Sequence, residues 1–375
     1  MCRDGVGLPA ARSEYNRMSA SGVSRLPTVD ALRGVASLWV AVFHLRAALG
    51  DEFQDWLPRW IDYVLSVGFV GVAIFFVISG FVIALTLAGR SVDCETVGRF
   101  ALRRSIRLDP PYWVAIAAEI ALIYLSLSFF PDDTRASIPS GQAVVAHMFY
   151  LQDILGFGNI AAIFWTLCIE LQFYFFFAIS LAIVQRGGRL VVDGNGDLSA
   201  RALLWFVGAA VYCMMVMCEL VQAPWQGLFF GYWPYFFAGV LAAWTYRLGL
   251  KRWYFYAYLA SMIGCGAVHL SAYLVAAICT AVLLFVVARL ALFQRVLAFR
   301  WLVYLGTISY SLYLFHSIVG WRFVRLVKVL VPDSAVGVGS IVLFVGALGV
   351  SVFAAHVAFL IIERPSMSLA RKIRY

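Results

Sequence analysis

The sequence predicts an all-α polytopic transmembrane bundle of about ten spans, on three observations. Hydrophobic residues make up 63% of the 375 residues and charged residues only 13%, where a soluble domain carries about 25% charged. Apolar runs long enough to cross a bilayer recur along the whole chain. Thirty Phe and twelve Trp suit contact with lipid and its interface. A water-soluble fold of this composition would lack the polar surface to cover itself.

Residues 1–28 are polar, carry four Arg and hold no long apolar run. A disordered tail is expected, not a signal peptide, because no apolar core follows the basic start; Met18 is an alternative start. Spans are expected near 29–49, 63–87, 111–130, 162–184, 202–221, 228–246, 253–269, 271–292, 301–319 and 337–362. Charge interrupts the first and third. The stretch 142–160 is weaker and reads as re-entrant or interfacial, and Gly194-Asn195-Gly196 reads as a turn. Residues 29–365 therefore form one membrane domain, followed by a basic tail, 366–375.

The net charge is +9, with 26 Arg and three Lys. In such a chain it is read loop by loop, not as a nucleic-acid footprint. Alternate loops and both tails hold 22 Lys and Arg, including Arg90, Arg99, Arg103, Arg104 and Arg107; the opposite side holds six: Arg46, Arg59, Arg135, Arg322, Arg325 and Lys328. The positive-inside rule then puts both termini in the cytoplasm and requires an even number of spans. The exception is Trp321–Leu330, a basic amphipathic stretch on the outer side, suited to an anionic membrane surface or an acidic substrate. The seven Cys form no CxxC pair, so neither a disulfide framework nor a metal site is expected.

Ionisable residues within spans point to function by default; here they are Arg33, His44, Glu119, Glu170, His316 and His356. The alternative for each is snorkelling or a structural polar pair. Arg33 and His44 lie eleven residues apart, about three helical turns, so they share a face roughly 16 Å apart along the axis. Asp30, one turn before Arg33, is expected to cap the helix or pair with Arg33. Helix rise places Glu170 at about the depth of His44, and a carboxylate in lipid needs such a partner. His316 falls at a similar depth, where a hydrogen bond to Tyr or Ser is its structural alternative. Glu119 and His356 read as structural pairs. Arg99, Arg103 and Arg107 repeat every four residues and form one face if helical; with Arg104, and ended by Pro110-Pro111, they suggest a phosphate site. Gly68, Gly71, Ser79 and Gly80 are small enough for close helix approach or for contact with a thin ligand chain.

Six strings in order resemble acyltransferase family 3, the bacterial membrane-bound O-acyltransferases. They are Asp30-Ala31-Leu32-Arg33-Gly34 with His44; Gly68 to Phe81; Arg103 to Trp113; Trp165 to Tyr174 around Glu170; Leu305 to His316; and Glu363-Arg364-Pro365. The likeness runs from Leu26 to Pro365, with Thr166 where the family more often has Ser and Arg364 where Lys is common. The resemblance implies transfer of an acyl group, usually acetyl, from cytoplasmic acetyl-CoA as co-substrate to a hydroxyl, without a metal. It implies a bacterial inner-membrane protein whose acceptor is a cell-surface polysaccharide, lipopolysaccharide or other glycan or glycolipid. On that basis His44 and Glu170 are the expected catalytic pair, with His44 as general base or acyl carrier and Glu170 orienting it. Arg33, Arg103, Arg104, Arg107 and Ser79 are expected at the acyl-CoA, and Trp165, Tyr174, Tyr310 and His316 on the acceptor side or in support. A small-molecule acceptor such as a macrolide is an alternative. A proton-coupled transporter is another, though no inverted repeat is visible. A membrane scaffold without chemistry fits poorly with polar residues meeting at one depth.

Overall fold

A computed structural model describes residues 26–129, 137–331 and 337–373. The expected polar tail up to Arg25, together with Arg135 and Arg374, lies outside the described residues. Every expected span is helical. Helix α1 (Pro27–Leu49) begins at Pro27, with Leu26 as N-cap and no side-chain cap, so Asp30 sits inside the helix and does not cap it. Short α2 (Asp51–Trp56) and α3 (Arg59–Ser66) follow, and a 3-10 turn (Gly68–Val70) leads into α4 (Gly71–Leu87). Then come α5 (Cys94–Phe129), α6 (Gly141–Met148), α7 (Trp165–Val184) and α8 (Ala200–Met217). After α9 (Trp233–Arg247), α10 (Arg252–Gly266) and α11 (Ala272–Arg289) come α12 (Arg300–Thr307) and α13 (Ser309–Leu330). The chain closes with α14 (Val338–Ala358), a π-turn (Phe359–Glu363) and α15 (Arg364–Ala370).

Seven of these helical segments are long and apolar enough to cross a membrane, and α12–α13 makes an eighth as one bent span. Helices α9 and α10 have 15 residues each, about 22 Å. Helix α8 leaves Leu204, Val207, Val211 and Met215 exposed. Each such side chain would cost about 1.5–3 kcal/mol in water; in lipid that penalty vanishes. The protein is a multi-pass membrane protein.

The centre is α4, apolar on all sides and with 13 of its 17 residues buried, as expected of a helix ringed by others. It packs on α1, α7, α9 and α11. Its glycines set the closest approach. A Cβ on Gly80 would lie 1.9 Å from Phe236 O, and one on Gly239 would lie 2.0 Å from Val77 O. Gly34 and Gly306 do the same for α1 against α12, where added Cβ atoms would meet Leu302 O at 2.4 Å and Asp30 O at 1.8 Å.

Two expectations are corrected here. The Pro pair does not end the Arg cluster, because α5 runs 36 residues straight through Pro110 and Pro111. Prolines at these positions remove the amide partners of the Ile106 and Arg107 carbonyls, and the Tyr310 hydroxyl donates to the adjacent Leu108 carbonyl at 2.8 Å. The segment 301–319 is not one straight span, because α12 and α13 meet at 73°. The break follows Gly306, held backbone-to-backbone against α1, and Ser309 Oγ bonds Gly306 O at 2.9 Å, a Gly/Ser combination of the kind that kinks helices. The stretch 142–160 contains only the eight-residue α6, followed by turns.

Candidate active site

A cleft of about 500 Å³, open at its mouth, lies between α1, α4, α7 and α13. Arg33, Ser79, Glu170, Ser309, Tyr310 and Tyr313 are among its lining residues. Near the start of α1, Arg33 Nε donates to Ser309 Oγ at 3.2 Å. Arg107 is within electrostatic range of Arg33 and Arg104, with Glu363 as the neighbouring countercharge. Glu363 is buried and takes the Ser311 amide at 3.2 Å and its hydroxyl at 2.6 Å. Arg33 and Arg107 face Glu363, and Arg104 stacks on Tyr174 beside Glu170. Three cations thus meet two carboxylates, and this end of the cleft keeps a positive excess, which suits a phosphorylated ligand. Arg103 stands one turn before Arg107, half-buried, while Arg99 pairs at the surface with Glu95.

Midway along the cleft, Glu170 accepts hydrogen bonds from the Ser79 and Tyr174 hydroxyls. The Arg104 guanidinium stacks 4.7 Å from the centre of the Tyr174 ring, which links the cation cluster to Glu170. Seven of the expected site residues thus converge here: Arg33, Ser79, Glu170 and Tyr310 line the cleft, and Arg104, Arg107 and Tyr174 adjoin them.

His44 does not pair with Glu170. Its partner is buried His316, whose Nε2 lies 3.1 Å from His44 Nδ1. Carbonyl oxygens only accept, and they assign the tautomers of the neutral rings. His316 Nδ1 faces Leu312 O at 3.0 Å and so carries its hydrogen, leaving Nε2 as an acceptor. His44 Nδ1 faces Val40 O at 3.0 Å and carries its hydrogen too, shared with His316. The lone pair of His44 is therefore on Nε2. Tyr313 joins the dyad to the cleft: it lines the cleft, its ring centre lies 6.0 Å from that of His316, and its hydroxyl bonds Thr166 Oγ1 at 2.6 Å. Thr166 keeps the hydroxyl that the more usual Ser would supply. Trp165 packs against Tyr232 at a tilt of 44°, with centroids 5.3 Å apart.

The remaining in-span charges are paired. Arg322 Nη2 donates to Glu119 at 2.7 Å and Tyr304 OH bonds His356 at 2.8 Å. The basic stretch 321–330 is tied inward, with Lys328 Nζ on Leu49 O at 2.7 Å. Sequence reasoning did not single out Ser309, Tyr313 or the Glu363 carboxylate for the site. Their only signal was membership of the Leu305–His316 and Glu363–Pro365 strings. Among the described residues, no group of three or more His, Cys, Asp or Glu is placed to hold a metal ion.

Comparison with known proteins gives similarity to the O-acetyltransferase OatA of Staphylococcus aureus, 28% identical over 169 residues, covering 42% of this chain and 25% of that protein. The peptidoglycan O-acetyltransferase OatA of Listeria monocytogenes is 29% identical over 192 residues, 47% of this chain and 28% of the relative. The putative peptidoglycan O-acetyltransferase YrhL of Bacillus subtilis is 25% identical over 208 residues, 53% and 29% respectively. The matches thus span little more than a quarter of the length of these relatives. No solved structure matches. A family model, described as an acyltransferase domain, matches residues 26–359, and the chain accordingly belongs to acyltransferase family 3.

Proposed function

We propose that the protein is an O-acetyltransferase that moves an acetyl group from cytoplasmic acetyl-CoA to a hydroxyl of a cell-surface glycan. The observation that carries this reading is the cleft itself, with a cation cluster at one end and, behind its lining residue Tyr313, the His44–His316 dyad. The printed activities of the similar proteins, O-acetylation and peptidoglycan O-acetylation, support the acetyl group and the glycan. All ten apolar runs are read as spans of the bacterial cytoplasmic membrane with both termini inside. The Arg end then faces the CoA pool and the histidine end faces the acceptor.

In the mechanism, Arg33, Arg104 and Arg107 hold CoA phosphates and the pantetheine arm lies along the cleft past Ser79 and Glu170. His44 Nε2 takes the proton of the acceptor hydroxyl as its oxygen attacks the thioester carbonyl. The tetrahedral intermediate collapses, the C–S bond breaks, and the thiolate of CoA leaves and recovers the proton from the imidazolium. His316 Nε2 accepts from the imidazolium Nδ1–H in the meantime. Attack by His44 itself, to give an acetyl-imidazole that the hydroxyl then opens, uses the same geometry. Glu170 acts in the cleft wall through Ser79 and Tyr174, not on His44.

The test is transfer of labelled acetyl from acetyl-CoA to glycan fragments by the purified protein in detergent. His44→Asn and His44→Gln should insert normally, still bind CoA and lose transfer by at least about a hundredfold, because neither amide takes a proton near neutral pH. A well-expressed variant retaining more than about a tenth of the wild-type rate would remove His44 from the chemistry.

A further inference from the structure

Aromatic rings form an open circuit around the histidine dyad beside the cleft. His44 packs edge-on to Phe43, with centroids 5.0 Å apart, and Phe43 meets Phe69 at 5.6 Å. Phe69 meets Tyr273 at 5.2 Å. Tyr273 is within electrostatic range of Tyr232, which contacts both Trp165 and Phe76. The neighbouring Phe75 meets Tyr313 at 5.8 Å, and Tyr313 returns the circuit to His316. Six elements contribute: the last turns of α1, the entry to α4, the first turns of α13 and the starts of α7, α9 and α11. Apart from α13, these ends lie opposite Arg33 and Glu363.

We infer that this circuit is the acceptor subsite and that it takes a pyranose ring, the dyad forming one part of its wall. The inference rests on the glycan reading above and names the surface that would recognise the sugar. A pyranose presents C–H groups on its faces and hydroxyls around its rim. Aromatic faces match the former and phenolic hydroxyls the latter. Trp165, Tyr232, Tyr273 and Phe69 are each half-buried, so their faces are walled in but not sealed. The Tyr232 and Tyr273 hydroxyls make no hydrogen bond among the described residues, and the Asp153 carboxylate is within electrostatic range of Tyr232. A wholly apolar occupant would leave the two phenols unmatched at this mouth. A sugar stacked there presents a rim hydroxyl toward His44, while acetyl-CoA enters from the other end.

The test separates the two substrates kinetically, with an N-acetylglucosamine–N-acetylmuramic acid disaccharide as acceptor. Trp165→Leu and Tyr273→Leu should each raise the KM for the disaccharide about tenfold, the upper range for an aromatic contact, and leave the KM for acetyl-CoA unchanged. Tyr273→Phe and Tyr232→Phe keep the ring and lose one hydrogen bond each, so they should raise it about threefold. If the Leu variants do not purify folded, the Phe variants decide the same split. Unchanged disaccharide KM values, or equal rises for both substrates, overturn the inference while leaving the transfer reaction standing. A wild-type protein that consumes acetyl-CoA but acetylates no glycan overturns both.

Discussion

His44 and His316 show how two carbonyls can prepare a base. Each ring has one nitrogen opposite a carbonyl oxygen of its own helix, Val40 O and Leu312 O, both at 3.0 Å. That pattern leaves His316 Nε2 free to accept from His44 and leaves His44 Nε2 basic. Once His44 takes a proton, its Nδ1–H becomes a charged donor, and a hydrogen bond to a charged group is worth about 1.5–3 kcal/mol. His316→Leu removes that acceptor, so kcat should fall about ten- to a hundredfold with the KM for acetyl-CoA unmoved. His316→Asn keeps an acceptor oxygen near the same place and should recover most of the loss. Steady-state kinetics on the two variants checks this; equal loss in both would make His316 a packing residue only.

At the scale of elements, the α4–α9 crossing holds the cleft wall in place. Gly80 and Gly239 face each other's backbones so closely that an added Cβ would lie 1.9 Å from Phe236 O and 2.0 Å from Val77 O. The atoms in the way are main chain and cannot rotate aside. Gly80→Ala should therefore force the helices apart and cost more than about 2 kcal/mol, within the range for overpacking. Gly98→Ala is the control: it sits on α5 with nothing within 4 Å and should be neutral or slightly stabilising, since Ala is the better helix former. Thermal unfolding in detergent at one heating rate distinguishes them, and equal midpoints for Gly80→Ala and wild type would refute the tight crossing. The helices themselves were legible because a run of apolar residues has few other solutions in lipid. The bend after Gly306 was not, since it depends on Asp30 and Leu302 across an interhelical contact that no local pattern records. The run of α5 through Pro110-Pro111 was hidden for a similar reason: the local rule predicts a stop, and tertiary packing overrode it.

For the whole molecule, depth was partly readable but lateral neighbours were not. Helix rise put His44 and His316 near one level, where they meet at 3.1 Å. It put Glu170 there too, whereas Glu170 bonds Ser79 and Tyr174 toward the cation cluster; rise carries no information about which helices touch. Packing put α13 beside α1, giving His44 a histidine, and put α4 beside α7, giving Glu170 the Ser79 hydroxyl. The Arg cluster was legible because charge density survives any arrangement of neighbours. That same charge density carries the prediction of orientation. The 22 cations on one side against six on the other should hold the Arg33 and Glu363 end in the cytoplasm. The loop at Asn195 is on that side, and the loop at Gln222 is on the other; both residues are exposed. In a background with its seven cysteines replaced, Gln222→Cys should react with a membrane-impermeant maleimide in intact cells, and Asn195→Cys only after permeabilisation. The aromatic circuit starts at the same end as Gln222, because the chain leads from it directly into α9, which begins at Trp233. Labelling of Asn195→Cys in intact cells would invert the protein, place the aromatic end in the cytoplasm, and leave the cation cluster facing away from the CoA it is proposed to bind.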